Sequence, residues 1–219
     1  MNVLFDLDGT LTDPGEGITR SYQYALERLG RPVPTREELL PCIGPPLRVN
    51  FARMLETDDS ELVERAVMIY RERYAPIGVL ENEVYDGVFE MLDRVRVAHS
   101  PVLVATAKPL VFARQVIEHH GLGGHVDGIY GPDLDGKLDD KADLLAHLIA
   151  DTGIDPAATV MVGDRANDVR AALRNGVRSV GVTYGYGSRE ELLSAGAHFV
   201  CATPLEVAEL LERLHDAGK

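Results

Sequence analysis

Cysteine is nearly absent from this chain. Cys42 and Cys201 are the only two, far apart and in neither a CxxC nor a Cys/His spacing, which argues against a cysteine-ligated zinc site and against a disulfide framework. Reduced thiols in a cytoplasmic protein are the expectation. No basic segment with an apolar core precedes the first predicted strand, and no run of about 18 apolar residues occurs, so neither export nor a membrane partner is expected. A basic patch is lacking too. The formal net charge is -13, which repels a nucleic-acid backbone and argues against nucleic acid as a partner. A small anionic substrate meets the same far field, so its site must supply a metal and well-placed lysine or arginine. There is no internal repeat and no low-complexity tract.

What is present is an ordinary globular composition. The chain has 219 residues, of which 45% are hydrophobic, enough for one α/β domain or for a core carrying a smaller insert. Short apolar runs alternate with amphipathic stretches. Val3-Leu4-Phe5, Val102-Leu103-Val104-Ala105, residues 126–130, 159–162, 179–183 and 198–201 read as strands. Residues 83–97, 110–120, 142–152, 169–175, 189–195 and 204–215 read as helices. Alternation of this kind predicts a Rossmann-like, doubly wound parallel sheet with helices on both faces. Between the first two strands lies a helical stretch, with Ile18, Tyr22, Ala25, Leu26 and Leu29 at helical spacing, a Thr35/Glu38 capping box, a rigid loop through Pro45-Pro46, and helices over 49–55 and 60–74. The expected organisation is a core of residues 1–13 and 80–219 with a small α-helical cap domain, residues 14–79, inserted after the first strand.

The first strand runs straight into Asp6-Leu7-Asp8-Gly9-Thr10. Asp6 and Asp8 are two apart, so an extended chain sends both carboxylates to one side. Crowded carboxylates repel and raise a pKa unless a cation offsets them, and Mg²⁺ is the natural cation for hard oxygen ligands. Polar groups recur beside later strands and helix starts: Thr106 after Val102–Ala105, Lys141 opening a helix, and Gly163-Asp164 with Asp168 after the strand at 159–162. In an open parallel sheet all strand C-terminal ends share one edge, so residues this distant in sequence can converge.

The series Asp6-Leu7-Asp8-Gly9-Thr10, Thr106, Lys141, Gly163-Asp164 with Asp168 resembles the four motifs of haloacid-dehalogenase-superfamily phosphohydrolases over nearly the whole chain. Thr106-Ala107-Lys108-Pro109 and Ile43-Gly44-Pro45-Pro46-Leu47 further resemble the phosphoglycolate-phosphatase-like branch. The resemblance implies that Asp6 is the nucleophile, forming an aspartyl phosphate, and that Asp8 is the general acid and base. It places Mg²⁺ between the Asp6 carboxylate, the Asp8 main-chain carbonyl and Asp164. Thr106, Lys141 and the main-chain amides after Asp6 and at Ala107 would hold phosphate oxygens, with Asp168 behind them orienting Lys141 or waters. Arg48, expected in the proline loop, and Lys108 are further candidates for touching the substrate.

A small phosphorylated metabolite is the implied partner, 2-phosphoglycolate first and nucleoside 5′-monophosphates as the alternative. A β-phosphoglucomutase-like phosphomutase would use the same aspartyl phosphate. A phosphate-responsive receiver module also combines acids, Thr and Lys, but its phosphorylated aspartate follows a later strand. Gly131 to Lys137 has P-loop spacing, yet Leu138 replaces the Ser or Thr and two acids sit inside the loop. Asp6-x-Asp8 fails as an EF-hand start because Leu11 and Gly17 occupy the positions of the sixth Gly and twelfth Glu. Gly185-Tyr186-Gly187 lacks the third glycine of a dinucleotide fingerprint and reads as a plain loop. His119 and His120 fit a helix end, where the dipole favours them, better than a metal site.

Overall fold

The computed structural model describes residues 1–217. Its centre is a six-stranded parallel sheet of β1 (Asn2–Phe5), β4 (Val102–Ala105), β5 (Gly128–Tyr130), β6 (Thr159–Gly163), β7 (Arg178–Val182) and β8 (Phe199–Cys201), in the order β5-β4-β1-β6-β7-β8. β1 is therefore flanked by β4 and β6, with Leu4 opposite Leu103 on one side and Met161 on the other. The chain leaves β1 for one half of the sheet and later returns to its other side, so the crevice where loops diverge opens at the C-terminal end of the central strands. These strands are buried on both faces, which is why they read as continuous apolar runs rather than alternating ones.

Side-chain alternation assigns the two layers. Leu4, Leu103, Ala105 and Met161 face α7 (Lys141–Thr152) and α8 (Ala166–Arg174), packing on Leu145, Leu148, Ala171 and Ala172. Val3, Phe5, Val102, Val104, Val160 and Val162 face the opposite way, toward α5 (Val88–Ala98), α6 (Leu110–His119) and α10 (Pro204–Asp216). A short α9 (Arg189–Ser194) presses Leu192 against Gly181 of β7.

Between β1 and α5 the chain forms a helical insert, entered and left through a two-stranded antiparallel ribbon, β2 (Thr12–Asp13) with β3 (Glu83–Val84). The insert carries α1 (Gly15–Arg28), α2 (Arg36–Leu39), α3 (Leu47–Met54) and α4 (Ser60–Arg73), the last running into a wide turn over Tyr74–Gly78. The Thr35/Glu38 capping box is present at α2. An aromatic cluster of Tyr22, Phe51, Tyr70 and Tyr74 fills the insert and reaches Phe112 of the core through Tyr74. No helix among the described residues is long and apolar enough to cross a membrane.

Three expectations about elements need correction. The helix predicted over 83–97 begins only at Val88, because residues 83–84 are held in the ribbon and Gly87 at φ +85° stands in the left-handed region just ahead of the first turn. The helix predicted from 49 starts at Leu47, with Pro46 as its cap, so Arg48 stands on a helix and not in the proline loop. The helix predicted from 169 starts at Ala166, which puts Asp168 in its first turn.

Candidate active site

Three central strands deliver the acidic and polar groups to one place. Past the end of β1 the Asp6 amide still bonds the Val162 carbonyl of β6 at 2.9 Å, continuing the ladder, while its carboxylate accepts the Leu7 amide at 2.8 Å. Gly9 then turns the chain at φ +84°, where a Cβ would stand 2.2 Å from an Asp164 carboxylate oxygen, so glycine is required both by the turn and by the approach of that acid. Asp164 follows β6 directly, and Thr106 follows β4. Lys141 is the first residue of α7, whose cap is the Asp140 side chain.

These residues meet. One carboxylate oxygen from each of Asp6, Asp164 and Asp168 lies within 4.8 Å of the others, all three buried. Lys141 Nζ contacts Asp6 Oδ1 at 2.9 Å and is also paired with Asp168. Asp168 uses its other oxygen to accept the Arg165 amide at 2.9 Å, so the first turn of α8 aims it at Lys141. Burial alone would lower the Lys141 pKa, but Asp168 and Asp6 outweigh it and hold the ammonium charged.

Asp164 is fully buried. Its Oδ2 accepts the Tyr186 amide at 2.7 Å, and its Oδ1 has no hydrogen-bond partner. Burial, then the charges of Asp168 and Asp6, push its pKa well above the ordinary carboxylate range. Keeping all three acids ionised needs more positive charge than the Lys141 ammonium supplies. An orphaned buried carboxylate oxygen in such an oxygen-only cluster is a donor set that a hard divalent cation fits.

Asp8 stands apart from that cluster. Its carboxylate accepts from Lys108 Nζ at 2.6 Å, in a pair that is almost completely shielded from solvent, and the same ammonium lies 5.7 Å from the centre of the Tyr74 ring. Burial raises the Asp8 pKa, and Lys108 pulls against that. Lys108, a candidate for touching the substrate, is engaged by Asp8, and its amide bonds the Thr106 hydroxyl at 3.1 Å. Lys108→Met would leave Asp8 buried without its cation, and removing one member of a buried pair costs about 3 kcal/mol. We expect a clear fall in melting temperature, largely recovered in the double variant Lys108→Met/Asp8→Asn. An unchanged thermal unfolding midpoint would show that the pair does not hold the loop.

A cavity of about 90 Å³ opens over these groups between the sheet edge and the helical insert. Asp6, Asp8, Thr106, Ala107 and Lys108 form its floor, and Tyr22, Pro45, Tyr70, Tyr74 and Phe112 supply much of its wall. Arg48 and Arg71 are also on its lining. Arg48 is occupied: it pairs with Glu64 of α4, with Asp139 of the core at 3.2 Å, and with the Leu134 carbonyl at 3.3 Å. Arg71 donates to the same carbonyl at 3.0 Å, so the two guanidiniums fasten the insert to the acidic core loop that precedes α7. Arg165 adds a second tie, donating to the Ile43 carbonyl of the proline loop.

The model of the haloacid dehalogenase-like hydrolase family matches residues 3–182. The chain belongs to that family. Among its relatives, a 5′-nucleotidase of Pseudomonas aeruginosa is 44% identical over 96% of this chain and 95% of its own length. Phosphoglycolate phosphatase 1 of the same organism is 36% identical over 84% of this chain and 70% of its own. Tyrosine-protein kinase PtkA of Mycobacterium tuberculosis is also 36% identical, over 97% of this chain and 72% of its length. The crystal structure of a predicted phosphatase from Clostridium acetobutylicum superimposes with a TM-score of 0.93 at 40% identity, covering 97% of this chain and 98% of the other.

Sequence reasoning missed the loop after β7. Gly185-Tyr186-Gly187, read as a plain loop, covers Asp164 and supplies the amide that holds it. The signal available was its place at another strand end beside a glycine pair, and nothing in the residue types announced the partner.

Proposed function

We propose that this hydrolase is a Mg²⁺-dependent phosphomonoesterase acting on a small phosphorylated metabolite through an aspartyl phosphate on Asp6. The observation that carries the reading is the buried meeting of Asp6, Asp164, Asp168 and Lys141 beneath a cavity that also contains Asp8 and Thr106. Asp6, Asp164 and the Asp8 carbonyl would hold the ion, which when bound supplies positive charge against the phosphate oxygens and the Asp6 carboxylate. Asp6 forms a bond to phosphorus as the bond to the leaving oxygen breaks, and Asp8 gives that oxygen its proton. Water then attacks phosphorus, Asp8 takes the proton, and the Asp6–phosphorus bond breaks to release phosphate. Lys141, Thr106 and the Ala107 amide steady the transferring oxygens. Residues 14–79 act as a cap over a core of residues 1–13 and 80–219, and the two free, buried cysteines accord with a reducing cytoplasmic setting.

The insert, tied down over the cavity by Arg48, Arg71 and Arg165, favours a compact leaving group of the phosphoglycolate kind. A nucleoside 5′-monophosphate is the second reading, favoured by the 44% identical relative. In a panel of phosphorylated metabolites with Mg²⁺, kcat/KM for 2-phosphoglycolate should exceed that for nucleoside 5′-monophosphates by at least about tenfold, the discrimination a fitted pocket gives. The reverse order transfers the assignment to the nucleotidase reading. Formation of an isomer without free phosphate would make the protein a mutase instead.

A further inference from the structure

We propose that Tyr186 is a positioning residue that ties the hinge ribbon of the helical insert to the Asp164 carboxylate, so that cation occupancy at Asp164 and the setting of the hinge form one coupled equilibrium. The proposal rests on the metal reading above and adds to it a route from the ion to the insert.

Both ends of the tie belong to one residue. The Tyr186 amide donates to Asp164 Oδ2 at 2.7 Å, and the Tyr186 hydroxyl donates to Asp13 Oδ1. Asp13 ends β2, pairs across the ribbon with Glu83, and is followed within two residues by the insert's first helix. The same Asp13 oxygen also accepts the Gly15 amide at 2.8 Å, so the start of α1 and the tyrosine hydroxyl share one acceptor. Burial, followed by the hydrogen bond and charge of Asp13, raises the Tyr186 pKa and keeps the hydroxyl a donor.

The fit at each end leaves no room for slack. A Cβ on Gly185 would lie 2.1 Å from the Gly9 carbonyl oxygen and 2.6 Å from Asp164 Cβ, so the loop can reach Asp164 only as glycine. A Cβ on Gly15 would lie 2.5 Å from the Tyr186 hydroxyl oxygen. Between these ends stands a ring with two side-chain torsions, a stiff connection compared with a lysine or glutamate of similar reach. Tyr184 flanks it, donating to the Thr10 carbonyl at 3.0 Å just before β2 and meeting Tyr85, just after β3, edge-on at 5.3 Å. Tyr85 lies beside Tyr186 and feels the charges of both Asp13 and Asp164, and Tyr186 hydrogen-bonds to both acids.

Linkage makes the coupling run both ways: an ion that fixes Asp164 biases the hinge, and a hinge that pulls on Asp13 alters the Asp164 site. The test pairs calorimetric Mg²⁺ titration with hydrogen exchange of the segment 13–18, with and without Mg²⁺. In the native protein Mg²⁺ should slow exchange in that segment several-fold. Tyr186→Phe keeps the amide and the ring, so its Mg²⁺ affinity should stay within about threefold of the native value, a coupling change of under 1 kcal/mol, while the exchange response disappears. Asp13→Asn keeps an acceptor oxygen and should retain the response, whereas Asp13→Ala should lose it. That rescue separates a positioning role from general loosening. A Tyr186→Phe protein with the native exchange response overturns the proposal, as does a native protein that binds Mg²⁺ without any change at the hinge. Failure of the native protein to bind Mg²⁺ at all would overturn the metal reading, and the coupling with it.

Discussion

Asp6→Asn should abolish turnover, lowering kcat by at least about four orders of magnitude, the scale seen when a covalent nucleophile is removed. The fold should survive. Asn keeps the volume and an acceptor oxygen for the Leu7 amide, now bonded at 2.8 Å, so the turn after β1 stays intact. Lys141 loses one of its two carboxylates but keeps Asp168 and is not stranded as an unpaired buried charge. The negative charge facing phosphate falls, so substrate binding should hold or tighten while chemistry stops. Steady-state kinetics with equilibrium binding of substrate and a thermal melt check all three statements. Asp6→Ala, which cannot revert by deamidation, serves as the second variant. Turnover above about a thousandth of native in a preparation free of contaminating phosphatase would remove Asp6 from the role of nucleophile.

The sheet was legible in the sequence because its strands are buried on both faces. Val3-Leu4-Phe5 and Val102–Ala105 have no polar alternation to confuse them with surface strands, and the groups placed at their ends had nowhere to go but the shared edge. The convergence of Asp6, Asp8, Thr106, Lys141 and Asp164 at that edge was readable for that reason. Lys108 was visible only as a neighbour of Thr106; its bond to Asp8 joins residues a hundred positions apart through the pairing of β1 with β4. Arg48 was misplaced by the double proline, since Pro46 caps a helix as readily as it ends one. Residues 83–84 were absorbed into α5 because a two-residue ribbon has no periodicity to detect, and its pairing partner lies across the whole insert. The part of the site least visible was the loop after β7. Its contact with Asp164 follows from β6 and β7 being neighbours, a fact of sheet order that residue types at 183–187 do not carry.

Asp164→Asn should exchange stability for metal response, and the two halves of that exchange can be measured separately. Asp164 sits fully buried with one oxygen unpartnered, beside two other acids, and Lys141 pairs with those two. Ionising Asp164 beside a second carboxylate within 4.8 Å costs at least about 3 kcal/mol at an effective dielectric near 20, and folding must either meet that cost or hold a proton that the free side chain would release. Asn is nearly isosteric, still accepts the Tyr186 amide through its oxygen, and carries no charge. The variant in EDTA should therefore be more stable than the native protein by about 1–3 kcal/mol, a rise of several degrees in melting temperature for a chain this long. Mg²⁺ should reverse the order. Ligand at a hundred times its dissociation constant stabilises the native fold by about 2.7 kcal/mol, and the variant should gain little of this. Its kcat should fall by about two to three orders of magnitude at the Mg²⁺ level that saturates the native enzyme, because the charge opposing Asp6 and phosphate is no longer held in place. The crossing of the two melting curves on adding Mg²⁺ is what identifies Asp164 as a ligand rather than a structural acid. A variant that is less stable than native in EDTA, or that shows the native Mg²⁺-induced shift, would mean that Asp164 is held by its neighbours for the fold and that the ion, if it binds, is held elsewhere.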